Sequence, residues 1–145
     1  QWAFTATSTT IVSGAIAERV ALPAYLTYAV VITALIYPVL AHWVWSDEGW
    51  ASADRGDPLL GCGAADFSGS GVVHLTGGFM ALVAAYLTGS RAGRFDAEGK
   101  EVSLERQSAA LNVLGALTLW TGWFFFNASG VKYFSSQPDA VSERG

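Results

Sequence analysis

Charged side chains are missing from four stretches of this chain and crowd the intervals between them. Residues 20–46, 67–90 and 107–131 are each uncharged over more than the roughly 20 residues that a helix needs to cross a hydrocarbon layer. The pattern predicts three membrane-spanning helices in succession, which a soluble all-helical protein rarely carries. Residues 1–17 are uncharged too, without a basic leader or a small-residue cleavage site, so they read as part of a further helix and not as a signal peptide. Pro38 falls inside the second stretch, where it removes a backbone donor and predicts a kink that neighbouring helices absorb. In the third, Gly77, Ala81, Ala85 and Gly89 recur every fourth residue and predict a narrow face for close approach of another helix.

The same stretch holds His74 at helical spacings of three and four from Gly71 and Gly78, which leaves space beside its ring. An ionisable group at membrane depth normally faces a bundle interior or a cavity, on the path of an ion, a proton or a small polar solute. The alternative is a neutral imidazole hydrogen-bonded to a neighbouring helix.

Charge adds orientation. The chain has eight basic and twelve acidic residues and a net charge of -4. That balance, with no basic patch or stacking module, excludes nucleic acid as a partner. Arg19, Arg91, Arg94, Lys100 and Arg106 fall on one side of the expected layer, while the connector 47–66 holds Arg55 among Asp47, Glu48, Asp54, Asp57 and Asp66. The positive-inside bias then makes loop 91–106 cytoplasmic and loop 47–66 external. An acidic outer mouth would attract a cation. The single Cys62 has no partner in the chain for an internal disulfide. No nucleophile or metal-ligand set accompanies His74, and the second histidine, His42, is near the outer end, so an enzyme, a metal site or a cofactor is not expected. The Gln1 start and the polar tail 132–145 point to a piece of a longer chain.

Aromatic residues cluster where the outer mouth is expected: Trp43, Trp45 and Trp50 near the end of the second stretch, and Trp120, Trp123, Phe124, Phe125 and Phe126 towards the end of the fourth. Such rings are either anchors at the headgroup boundary or faces for a cation, worth about 0.5–2 kcal/mol depending on how dry the site is. Periodicity leaves both readings open.

Six motifs then carry a resemblance. Gln1-Trp-Ala-Phe4, Ser13-Gly-Ala-Ile-Ala-Glu-Arg19, Tyr37-Pro-Val-Leu-Ala-His-Trp-Val-Trp45, Asp66-Phe-Ser-Gly-Ser-Gly-Val-Val-His74, Gly93-Arg-Phe-Asp96 and Gly122-Trp-Phe-Phe-Phe-Asn127 occur in order over nearly the whole chain. The chain resembles the ammonium transporter (Amt/Mep/Rh) family, and within it the plant and algal branch. The resemblance implies an all-α bundle of eleven membrane helices, assembled as a homotrimer with one pore per subunit. This chain would supply the end of the third helix and the fourth to sixth helices.

It also implies roles. Trp45 resembles the outer-vestibule tryptophan that holds ammonium, with Phe4 beside it; Phe4 and Phe126 resemble the stacked phenylalanines that close the pore; His74 resembles the first of the paired pore histidines. Asp66 would act electrostatically on the cation or cap its helix. Asn127 would hydrogen-bond within the bundle, and Asn127-Ala-Ser129 is formally a glycosylation sequon, at a helix end unsuited to its use. Glu18 and Arg19 would form a local charge pair with no transport role. The mechanism so implied is capture of the cation, loss of its proton and passage of ammonia, because a charged ion pays far more than a neutral solute to enter hydrocarbon. In electrogenic members the proton is conveyed separately.

Two departures bear on affinity. Phe125 stands where the family usually has glycine, and Ala128-Ser129-Gly130 shifts the serine that would contact the cation by one position, about 100° around a helix. The tail from Val131 does not resemble the family. The expectation is therefore a multi-pass cell-membrane protein that transports ammonium or ammonia, with methylammonium as a further substrate, the lipid bilayer as its environment and no cofactor. Its rivals are an ammonium sensor of the same fold and an isolated fragment without transport activity.

Overall fold

Helices follow the apolar runs and stop at prolines, glycines and a capping carboxylate. The computed structural model describes residues 1–105 and 107–130. Three expectations lie outside the described residues: the contribution of Arg106 to the basic loop, the end of the last segment at Val131 and the divergent tail 132–145. Among the described residues the regular structure is helical, with isolated β-bridges only at Ser52–Ala64 and Phe95–Glu101. The chain divides into two compact units, Gln1–Gln107 and Ser108–Gly145.

The first unit contains α1 (Trp2–Ile16), α2 (Leu22–Val31), α3 (Tyr37–Trp45) and α4 (Thr76–Thr88). A π turn at Ile32–Ile36 joins α2 to α3, and a second at Ser70–Leu75 runs into α4. The continuous helices Leu22–Trp45 and Ser70–Thr88 are long and apolar enough to cross a membrane, as is α5 (Ala109–Ala128) in the second unit. The kink expected at Pro38 takes the form of the first π turn, with Pro38 in the opening turn of α3. Proline cannot bond to the carbonyl four residues back and its ring crowds that group, so one extra residue in the preceding turn relieves the conflict.

α1 lies along α4 and touches both π turns. Phe4, Val12 and Ile16 of α1, Ile32 and Tyr37 of the long helix, and Val72 and Val73 of the second π turn are buried there. Gly77 sets the approach: a Cβ on it would stand 2.9 Å from the Ser8 carbonyl oxygen and 3.0 Å from Ile11 Cβ. The small-residue face is thus used at Gly77. Its last member, Gly89, instead ends α4 with φ 75°, a conformation that costs glycine nothing.

Both loops of this unit are tied down. Loop 47–66 folds back on the end of α3, with the Ala51 N–H donating to the Trp43 carbonyl at 3.0 Å and the Ala64 N–H to the Ala51 carbonyl at 2.7 Å. Gly49 presses on the end of α3 so closely that a Cβ would lie 2.3 Å from the His42 carbonyl oxygen, and only glycine fits. After α4, Asp96 Oδ1 accepts from the Lys100 N–H at 2.7 Å and shapes a turn bridged by Phe95 and Glu101.

The turn after α1 and the segment after α4 meet at one end of the helix pair. Arg91 forms an ion pair with Glu18, and Arg19 donates to the Gly89 carbonyl. Glu18 and Arg19 therefore do not pair with each other as expected. Adjacent residues at a helix end point in different directions, and each side chain reaches across to the other loop instead.

The second unit is built on α5, whose N-terminus is capped by Ser108, the hydroxyl accepting from the Leu111 N–H at 3.2 Å. Thr118 and Thr121 donate to the carbonyls of Leu114 and Leu117, each at 2.9 Å. Their hydroxyls are satisfied inside the helix, as a hydrocarbon environment requires.

Candidate functional site: an aromatic and carboxylate cluster at the start of α4

The continuous helix that ends in α4 does not begin at Phe67, where the uncharged stretch begins, but with the π turn at Ser70. Gly69 takes φ 92° and turns the chain so that the first backbone donors of the helix converge on one side chain. Asp66 Oδ1 accepts from the N–H groups of Gly69 at 2.7 Å and Ser70 at 2.9 Å. Its Oδ2 accepts from Gly71 at 3.0 Å and Val72 at 2.7 Å. One carboxylate so satisfies the orphan donors of a helix end, with the dipole in its favour. Of the two roles open for Asp66 in the sequence, the geometry displays the cap. Of the open space expected from Gly71 and Gly78, the part at Gly71 is narrowed by the same group, where a Cβ would lie 3.3 Å from Asp66 Oδ2, while no atom lies within 4 Å of a Cβ placed on Gly78.

The backbone of Asp66 holds a second element. Its carbonyl accepts the indole N–H of Trp45 at 2.6 Å, fixing the last residue of α3 to the start of the next helix. Phe4, buried in α1, meets Trp45 with ring centroids 5.4 Å apart and planes inclined at 51°. Trp43 and Trp50 form a separate edge-to-face pair at 5.8 Å and 65° that anchors the loop to α3.

His74 sits in the π turn. Its backbone N–H and its Nδ1 both meet the Gly69 carbonyl, at 2.9 Å and 3.0 Å. A carbonyl only accepts, so the ring contact assigns the proton to Nδ1; in the neutral imidazole Nε2 then carries the lone pair. The turn that seats His74 is the one capped by Asp66 and packed against α1 and α3. Phe4, Trp45, Asp66 and His74, far apart in sequence, thus belong to one connected cluster. It brings two aromatic rings, a helix-capping carboxylate and an imidazole into one neighbourhood.

Phe126 and Asn127 lie in the second unit. The Phe126 ring stacks on Trp123 at 5.2 Å with planes only 14° apart, and Asn127 is in the exposed last turn of α5. The Ser129 hydroxyl donates to the Phe126 carbonyl at 2.7 Å, turned back onto its own helix.

Sequence reasoning missed Gly69. A Cβ on it would fall 2.5 Å from Val73 Cγ2 and 3.4 Å from the Trp45 ring, and its carbonyl orients His74. The signal was present as small residues at 68–71 two positions after Asp66, a pattern that favours a capped turn. Among the described residues no three of His, Cys, Asp and Glu are grouped to hold a metal ion.

Comparison with known proteins relates the chain as a whole to plant ammonium transporters. The chain is 51% identical over 129 residues to Ammonium transporter 1 member 2 of Arabidopsis thaliana, covering 88% of this chain and 25% of that protein. It is 52% identical over 129 residues to Ammonium transporter 1 member 3 of Oryza sativa subsp. japonica, covering 88% and 26%. Against Ammonium transporter 1 member 1 of Solanum lycopersicum the identity is 47% over 127 residues, with 88% and 26% covered. The chain therefore spans about a quarter of the length of the curated relatives it matches. The sequence model of the Ammonium Transporter Family matches residues 1–140, and the chain belongs to the ammonium transporter family.

Proposed function

We propose that this chain is part of a multi-pass transporter that moves ammonium or ammonia across the cell membrane, and that the cluster of Trp45, Phe4, Asp66 and His74 is part of its conduction path. In this reading the segments 1–17, 20–46, 67–90 and 107–131 lie in the membrane, as the end of the third helix and the fourth to sixth helices of an eleven-helix bundle. Loop 47–66 is external and loop 91–106 cytoplasmic. The family is one of transporters, not enzymes, so His74 serves passage and not catalysis.

The observation that carries the reading is the tethering of Trp45 to Asp66 beside the turn that seats His74. A cation held on the faces of Trp45 and Phe4 is stabilised by the rings and by the negative charge of Asp66. Losing its proton removes most of the desolvation cost of going further. His74, held by the contact of its Nδ1 with the Gly69 carbonyl, lines the path of the neutral solute in this reading. By the family resemblance Phe4 and Phe126 each take the part of a pore-gate ring, Asn127 hydrogen-bonds within the bundle, and the assembled protein is a homotrimer.

The test is membrane current and labelled methylammonium uptake by the full-length protein containing this chain, compared with Trp45→Leu and His74→Ala. Ammonium-dependent uptake weakened at low concentration by Trp45→Leu, and altered in size or selectivity by His74→Ala, is the expected outcome. Current accompanying uptake marks electrogenic transport, and uptake without current marks ammonia conduction. Neither signal, with the protein verified at the cell surface, would sink the transporter reading in favour of a sensor.

A further inference from the structure

The end of the α1/α4 pair remote from Trp45 holds a cavity of about 520 Å³, lined by Arg19, Ser90, Arg91, Arg94 and Ser103 with Phe95 and Leu104. Three arginines are among the lining residues and, among the described residues, no acid is, although Arg91 and Arg94 are each ion-paired with a glutamate just outside the lining. Each is already oriented by neighbouring groups: Arg19 by the Gly89 carbonyl, Arg91 by Glu18, and Arg94 by Glu101 and by the Val102 carbonyl at 2.8 Å. A guanidinium has five N–H donors in a rigid fork, so these contacts fix its direction and leave donors for a ligand. The glutamate side chains are 65% exposed, against 37% for Arg91 and 32% for Arg94. The acids therefore stand towards solvent while the positive charge lines the cavity.

That arrangement matches a tetrahedral dianion or monoanion. Pre-oriented guanidinium forks bind phosphate through paired charge-assisted hydrogen bonds, and serine hydroxyls add neutral donors. Phe95 and Leu104 give the cavity an apolar wall next to the ends of helices long enough to span a bilayer. Basic pockets at such helix ends are where anionic headgroups collect. We propose that this cavity binds a phosphate group, carried by an anionic lipid headgroup or free in solution. The proposal concerns binding and does not rest on the transport reading.

The experiment uses the full-length protein purified in neutral detergent, with phosphatidylglycerol, phosphatidylcholine and inorganic phosphate as probes and retention read by native mass spectrometry. The unaltered protein is expected to retain phosphatidylglycerol over phosphatidylcholine, and the double variant Arg91→Gln with Arg94→Gln to retain it roughly tenfold less. Glu18→Gln removes a competing carboxylate and is expected to strengthen retention. Lipid that inorganic phosphate fails to displace from the cavity identifies a headgroup site; displacement that the double variant abolishes identifies a site for soluble phosphate. Equal retention by the unaltered protein and both variants, with unchanged melting, would overturn the proposal. Should the double variant fail to fold, Glu18→Gln decides: tighter retention supports the site and unchanged retention refutes it.

Discussion

Asp66 shows how one side chain fixes both the start of a helix and the position of a site. Four backbone N–H groups end on its two oxygens, and an amide offers only one acceptor atom in their place. Asp66→Asn is expected to cost about 1–3 kcal/mol and to lower the melting temperature of the full-length protein together with uptake. A variant that melted normally yet lost uptake would instead assign Asp66 a purely electrostatic part. Gly69→Ala is expected to be worse than the usual left-handed penalty of about 1–2 kcal/mol, because the new methyl also meets Val73 at 2.5 Å. It should move the carbonyl that orients His74, so thermal unfolding and uptake should fall together. The sequence marked Asp66 and His74 through a specific motif but left the aspartate with two roles. Hydrogen-bond convergence depends on backbone direction at Gly69, which residue types alone do not state.

At the scale of elements, the four-residue repeat of Gly77, Ala81, Ala85 and Gly89 announced a packing face, and Gly77 lies in tight contact with α1. Gly78, one residue on, has no atom within 4 Å of where its Cβ would be. Gly77→Val is therefore expected to force α1 from α4 at about 1–3 kcal/mol, while Gly78→Ala should leave melting unchanged or raise it slightly. Thermal unfolding of the two variants side by side checks this, and equal loss in both would contradict the packing account. Pro38 likewise announced an interruption, but whether the helix would kink sharply or widen was a matter of how its turns pack. The π turn lets Ile32 and Tyr37 both reach the core.

For the whole molecule, the charge pattern set the two basic segments on one side. The ion pair of Glu18 with Arg91 brings them together at one end of the α1/α4 pair. Which face of the membrane that end meets is testable with the exposed thiol of Cys62. A membrane-impermeant thiol reagent applied to intact cells is expected to label Cys62. In a Cys62→Ser background, Glu98→Cys should react only after permeabilisation. The reverse pattern would invert the proposed orientation.

The sequence by itself determined the helical class, the apolar stretches, the same-side grouping of basic loops and the family resemblance, because each is written in composition and spacing along the chain. Hydrophobic length and charge distribution need no partner to be read. Tertiary structure alone decided that Asp66 caps, that Trp45 is tethered to its carbonyl, that Gly69 orients His74, and that Glu18 and Arg19 reach to another loop. Those contacts join residues remote in sequence or hinge on one backbone angle, so they exist only once α1, α3 and α4 have packed.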